Sequence, residues 1–267
     1  MKYFLIIASF LLVHNAVAQD SSFTLVKTYT GDIASAAMDN LENLYIISST
    51  GQIRKYNAGG DSMGVYSQVR NFGQLYSIDV SNPLKILLFY KDFSTVVVLD
   101  RFLAVVATVD LRKFSILQPG AIGLSYDNNI LVYDEYDNRL KKIDEQGNKL
   151  LETAEFRTIF TEPIAPQKII SDNGLVYLAD TASGVFVFDN YGTFKRKLPV
   201  MNWQSIALVN NNLVSTRDDM ITVYNPATLM ETKRKFPFFK PYLQSFTHAN
   251  KFVTLSPNQL QVYQFRY

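Results

Sequence analysis

Carboxylates gather once along this chain, at Asp134-Glu135-Tyr136-Asp137, and Asp180 and Asp218-Asp219 recur at matching places further on. Oxygen is the donor that a hard cation such as calcium takes, six to eight atoms at a time. Asp134, Asp137 and Asp180 are therefore the candidate metal ligands. The competing use of Asp is to close a turn on its own backbone. Recurrence of one residue type at one place in successive units favours the turn. No metal or cofactor is expected, with calcium kept as the alternative.

Nitrogen and sulfur chemistry is sparse. The sequence has no cysteine and two histidines, His14 and His248. His14 lies in an apolar leader, and His248 stands beside the turn Ala249-Asn250-Lys251. A histidine zinc site takes two or three imidazoles. No HExxH, GxSxG, phosphate-binding glycine loop or CxxC occurs. No catalytic residue is assigned, and a non-catalytic reading leads. Its runner-up is a lactonase-like hydrolase or a lyase with a divalent metal, for which Asp32 and Asn202 are the best-placed oxygens.

Aromatic side chains offer binding chemistry instead. Prolines mark the segments Thr161-Glu162-Pro163-Ile164-Ala165-Pro166, Pro199-Val200-Met201-Asn202-Trp203 and Lys235-Phe236-Pro237-Phe238-Phe239-Lys240-Pro241-Tyr242, and aromatics join them in the last two. Proline narrows the ensemble of a loop, so an aromatic displayed there loses less entropy on binding. Packing into a core is the alternative use of the same rings.

The elements that position these residues can be read from a phrase that returns six times. It is a hydrophobic residue, two residues, a second hydrophobic residue, then Asp, Asn or Gln. The copies are Ile53–Asn57, Val96–Asp100, Leu140–Asp144, Val185–Asp189, Ile221–Asn225 and Leu260–Gln264, with final residues 43, 44, 45, 36 and 39 positions apart. That spacing suits one four-stranded blade per unit. The third unit shows the plan: strands at 121–126, 130–133, 140–143 and 149–153, separated by Asn-, Asp- and Gly-rich turns. The second unit is the least regular, with Arg101-Phe102 where glycine is expected. The last unit ends after its third strand. Phe23 to Tyr29, ahead of the first unit, is expected to supply the missing outer strand and close the ring. The fold class is all-β: a six-bladed β-propeller of four-stranded antiparallel blades, closed by the N-terminal strand.

These units resemble the NHL family of propeller repeats. The matching stretches are Leu175-Val176-Tyr177-Leu178-Ala179-Asp180 with Val185-Phe186-Val187-Phe188-Asp189-Asn190-Tyr191-Gly192, and Asp137-Asn138-Arg139-Leu140 with Ile143-Asp144-Glu145-Gln146-Gly147. The histidine of that family's loop is absent from every unit. The resemblance implies a propeller and no particular activity.

In such a ring the first strand of each unit lines a central channel, and Tyr76, Lys168, Gln204 and Gln244 are expected to reach it. The expected site is a partner or ligand surface formed by Trp203, Phe238, Phe239 and Tyr242 at the rim, with Lys168 and Gln204 below. Runs at Lys195-Arg196-Lys197 and Lys233-Arg234-Lys235 fall on outer strands, where cations discourage edge-to-edge pairing.

Residues 1–18 read as a signal peptide: Met1-Lys2, an apolar run from Tyr3 to Val13, and Ala16-Val17-Ala18 before the cut. The run is about 11 residues, short of the roughly 20 that span a bilayer, so membrane insertion is not expected. Residues 19–267 are expected to form one exported domain, periplasmic or extracellular. Without cysteine it folds by burial alone. The formal charge of +2 falls to about +1 without Lys2, which gives no strong field for nucleic acid. The expected partner is a protein or small molecule, and the expected state a monomer.

Overall fold

The repeated phrase is the third strand of each blade plus the residue that turns it. In the computed structural model, which describes residues 23–67, 72–236 and 242–265, the terminal Asp or Asn receives backbone N–H groups from the turn that follows. Asp100 Oδ1 accepts from Phe102 and Ala104 at 2.8 and 2.9 Å. Asp144 does the same for Gln146 and Asn148, and Asp189 for Tyr191 and Thr193. A short acceptor side chain is needed for this closure. The sixth copy ends in Gln264, which pairs with Thr24 in a strand and makes no turn.

The turn also needs a residue at positive φ. Gly60, Gly147 and Gly192 take it at 86°, 84° and 82°. In the irregular second unit Leu103 takes it at 67°. Its side chain is buried in the seam between the first two blades, and that burial offsets the roughly 1–2 kcal/mol of left-handed backbone.

Among the described residues, six four-stranded antiparallel sheets form. Blade 1 is β2 (Ser35–Met38), β3 (Leu44–Ile47), β4 (Ile53–Tyr56) and β5 (Ser62–Tyr66). Blade 2 is β6 (Ser77–Asn82), β7 (Lys85–Tyr90), β8 (Thr95–Asp100) and β9 (Val105–Asp110). Blade 3 is β10 (Pro119–Leu124), β11 (Ile130–Asp134), β12 (Arg139–Ile143) and β13 (Lys149–Glu152). Blade 4 is β14 (Lys168–Asp172), β15 (Leu175–Asp180), β16 (Gly184–Asp189) and β17 (Phe194–Leu198). Blade 5 is β18 (Ser205–Val209), β19 (Asn212–Arg217), β20 (Met220–Tyr224) and β21 (Glu231–Lys235). Blade 6 is β22 (Gln244–His248), β23 (Lys251–Ser256) and β24 (Gln259–Phe265), completed by β1 (Phe23–Thr30).

The closure expected from the sequence is therefore present. β1 pairs antiparallel with β24, Phe23 opposite Phe265 and Tyr29 opposite Leu260. Phe23 stacks on Phe265 at 4.7 Å and meets Phe252 edge-on at 5.6 Å. The basic runs lie on outer strands as expected, at β17 and β21.

Six apolar clusters fill the six seams between blades, so each sheet is covered on both faces. Central strands accordingly lose alternation and read as continuous apolar runs, as in Ile86–Tyr90 and Val96–Leu99, all buried. Between blades 3 and 4 the inner strands come close. A Cβ on Gly123 would lie 2.9 Å from Ile169 Cβ and 3.0 Å from its carbonyl oxygen, so only glycine suits that approach.

Candidate functional site

Strands that alternate in direction place the blade-to-blade links and the second-to-third loops on one face, here the link face. The remaining turns share the other. The first strands β2, β6, β10, β14, β18 and β22 surround a channel of about 390 Å³. Each has a neighbour strand on its outer side only, so its inner edge presents backbone N–H and C=O groups that need partners.

Channel side chains supply several of them from the next blade. The Gln244 amide closes on Ala36, its Oε1 accepting the N–H at 2.9 Å and its Nε2 donating to the C=O at 3.1 Å. Asp79 Oδ2 accepts from Leu124 N at 2.7 Å. Lys168 Nζ donates to Ile206 O at 2.8 Å, and Gln204 Nε2 to Leu243 O at 3.2 Å. Thr216 Oγ1 donates to Ser245 O at 2.7 Å. These bonds stitch blades 6 to 1, 2 to 3, 4 to 5 and 5 to 6.

Lys168, Gln244 and Tyr76 line the channel as the sequence suggested, and Gln204 stands at its link-face end. Lys168 is open to water along the channel yet has protein on every side, and desolvation lowers its pKa although Asp79 pulls it up. His248, at the other end of β22, is half-buried in the same channel. Burial lowers its pKa too, so the imidazole is neutral at pH 7.

Two polar positions in this region are not evident from the sequence. Asp79 is the one acid lining the channel among the described residues, and its place in Ser77-Ile78-Asp79-Val80 was the available signal. Lys141 was the other. It is buried and binds Asp134 at 2.8 Å and Asp137 at 2.6 Å. Asp134 also accepts from Gln118 N and Tyr136 N. Asp180 accepts from Ala165, Ala182 and Ser183 N–H groups. Asp134 and Asp137 thus converge on an ammonium, and Asp180 fixes the equivalent link one blade on. Among the described residues, no group of three or more His, Cys, Asp or Glu side chains converges as a metal site. Asp32 accepts from Ser49 N and Oγ, and Asn202 binds the neighbouring loop through Thr181 O.

Of the rim aromatics, Trp203 is half-buried against the seam between blades 4 and 5. Tyr242 is half-buried against the seam between blades 5 and 6. Phe238 and Phe239 lie outside the described residues. Near Trp203 and Tyr242 in sequence, Met201 and Leu243 are 46% and 59% exposed. Across the channel Tyr76 carries Lys91 over its ring at 5.1 Å, and Lys91 also pairs with Glu135 at 3.2 Å.

No family model matches the chain, and no curated protein matches it. Solved structures do. A catalytically inactive histidine-to-alanine variant of virginiamycin B lyase from Staphylococcus aureus, with quinupristin, superposes at a TM-score of 0.59 and 11% identity, over 90% of this chain and 99% of that one. A streptogramin B lyase gives 0.59 and 14%, over 86% and 78%. The WD40 domain of Neurospora crassa Pan2 gives 0.59 and 13%, over 93% and 97%. Identities this low show the propeller fold alone, in agreement with the NHL-like resemblance of the repeats.

Proposed function

We propose that this chain is an exported, non-catalytic binding module that takes a protein or small ligand on its link face. The observation that carries the reading is a division of labour. Gln244, Lys168 and Gln204 each bond the backbone of a neighbouring blade, while Trp203 and Tyr242 keep an open side on the link face, with Met201 and Leu243 exposed close to them in sequence. Half-buried aromatics make effective anchors, because the buried part holds the ring in place and the exposed part meets the partner. Phe238 and Phe239 are near Tyr242 in sequence and belong to the same proposed surface. The chain acts as a monomer, with no nucleic acid and no inserted membrane segment.

A second reading is a propeller lyase or hydrolase using a divalent metal. The fold-level likeness to two lyases supports it, one of them inactivated by loss of a histidine. His248 in the channel is the residue of that type here.

Photo-crosslinking separates the faces. A photo-reactive residue replacing Met201 is expected to capture a partner in the native compartment. One replacing Gln146, exposed on the opposite face, is expected to capture nothing specific. Capture from position 146 alone contradicts the proposal.

A further inference from the structure

The channel contains one lysine among its described lining residues, and that lysine has no acidic partner within ion-pair distance. An ammonium has three N–H donors, and Lys168 uses one on Ile206 O. The channel's acid forms no ion pair with it and is bonded to backbone instead. Asp79 Oδ1 is held by Ser81 N at 2.8 Å and Oδ2 by Leu124 N at 2.7 Å. Around these polar groups the wall is apolar, with Ile122, Ile170, Leu208 and Phe246. An amine with spare donors beside an apolar wall describes one class of ligand.

We propose that the channel is a binding site for a small organic carboxylate, its headgroup on Lys168 and its apolar body along the wall. The volume of about 390 Å³ lies at the lower end of the roughly 300–1,000 Å³ of small-molecule pockets. A monoanion suits the site better than a phosphate dianion. Lys168 is the one lysine among the described lining residues, no arginine joins it there, and Asp79 places a carboxylate in the same cavity. Phosphate sites gather several charged donors. The inference deepens the binding reading but rests on Lys168 and the cavity, so it stands or falls apart from the aromatic rim.

Hexanoate is the probe, with hexylamine as its charge-reversed control, and calorimetry reads the binding. Hexanoate is expected to bind saturably with a Kd on the order of 1 mM, and hexylamine not to bind. Lys168→Gln is expected to weaken hexanoate at least tenfold, and Lys168→Arg to keep it within a few-fold. Tyr242→Ala is expected to leave it unchanged. A second readout needs no variant. In the ¹³C-lysine-labelled wild-type protein, the Lys168 Cε titration midpoint is expected to rise when hexanoate is added, because a neighbouring carboxylate favours the charged amine. Equal binding of hexanoate and hexylamine, undiminished binding by Lys168→Gln, or an unmoved midpoint at saturating hexanoate overturns the proposal. A rim partner that still binds Lys168→Gln would leave the link-face reading intact.

Discussion

Removing residues up to Thr30 is expected to abolish cooperative folding. β1 is the outer strand of blade 6, and its loss uncovers the whole edge of β24 together with Phe252 and Phe265. A bare strand edge beside an apolar face is a template for association, so the truncated chain should aggregate or melt without a sharp transition. A milder variant keeps the test quantitative. Phe23 is 3% exposed and packs against both rings, so Phe23→Ala should cost about 3–5 kcal/mol. For a domain of this size that is roughly 6–20 °C in Tm. A truncated protein with the melting curve of the full chain would show that the ring does not close through β1.

The second large effect is expected at Lys141. Its ammonium, with the side chain 5% exposed, lies between Asp134, whose side chain is fully buried, and Asp137. Burial by itself pushes the lysine pKa down. Hydrogen bonds to the two carboxylates outweigh it and hold the pKa above the ordinary 10.5. The folded value exceeds the unfolded one, so this contribution is fully present below pH 10.5 and is lost as pH rises through the folded value. Lys141→Met leaves two carboxylates facing one another without a counter-charge. Stranding a buried charge costs about 3–5 kcal/mol. Adding Asp134→Asn to Lys141→Met should recover part of the loss. Calorimetric melting checks both. A Lys141→Met protein within a degree of wild type would mean that the cluster is not a structural pin.

The architecture was legible because its signals are local and repeated. The strand–turn phrase reports a third strand and the acceptor that closes the turn after it, and Asp144 and Asp189 perform that role in the structure. Unit two broke the glycine pattern, yet Leu103 adopts the same backbone because its side chain gains a buried seam. The closing strand could be inferred from the missing fourth strand of the last unit. Boundaries were less exact: β10 begins at Pro119 rather than Ala121, with a register shift between those residues.

The site was harder to read, because it depends on which blade a side chain reaches across to. Nothing local in the sequence says that Gln244 would close on Ala36, 208 residues away. The acidic run at Asp134–Asp137 reads in sequence as turn-closing carboxylates, with a metal site as the weaker alternative. Its cation, Lys141, was four residues on in the next strand, and the spacing across a hairpin was the overlooked signal. Trp203 and Tyr242 were assigned to the rim, and the structure gives each both a packed side and an open one. That is why neither the packing use nor the binding use could be chosen from composition.

The sole tryptophan offers the most direct test of link-face binding, since Trp203 stands on that face. The species captured by crosslinking should be titrated into the free protein while tryptophan emission is recorded. The account predicts a saturable change in Trp203 emission, with binding weakened at least tenfold by Tyr242→Ala. Saturable binding that leaves both the emission and the Tyr242→Ala affinity unchanged would place the partner elsewhere and contradict it.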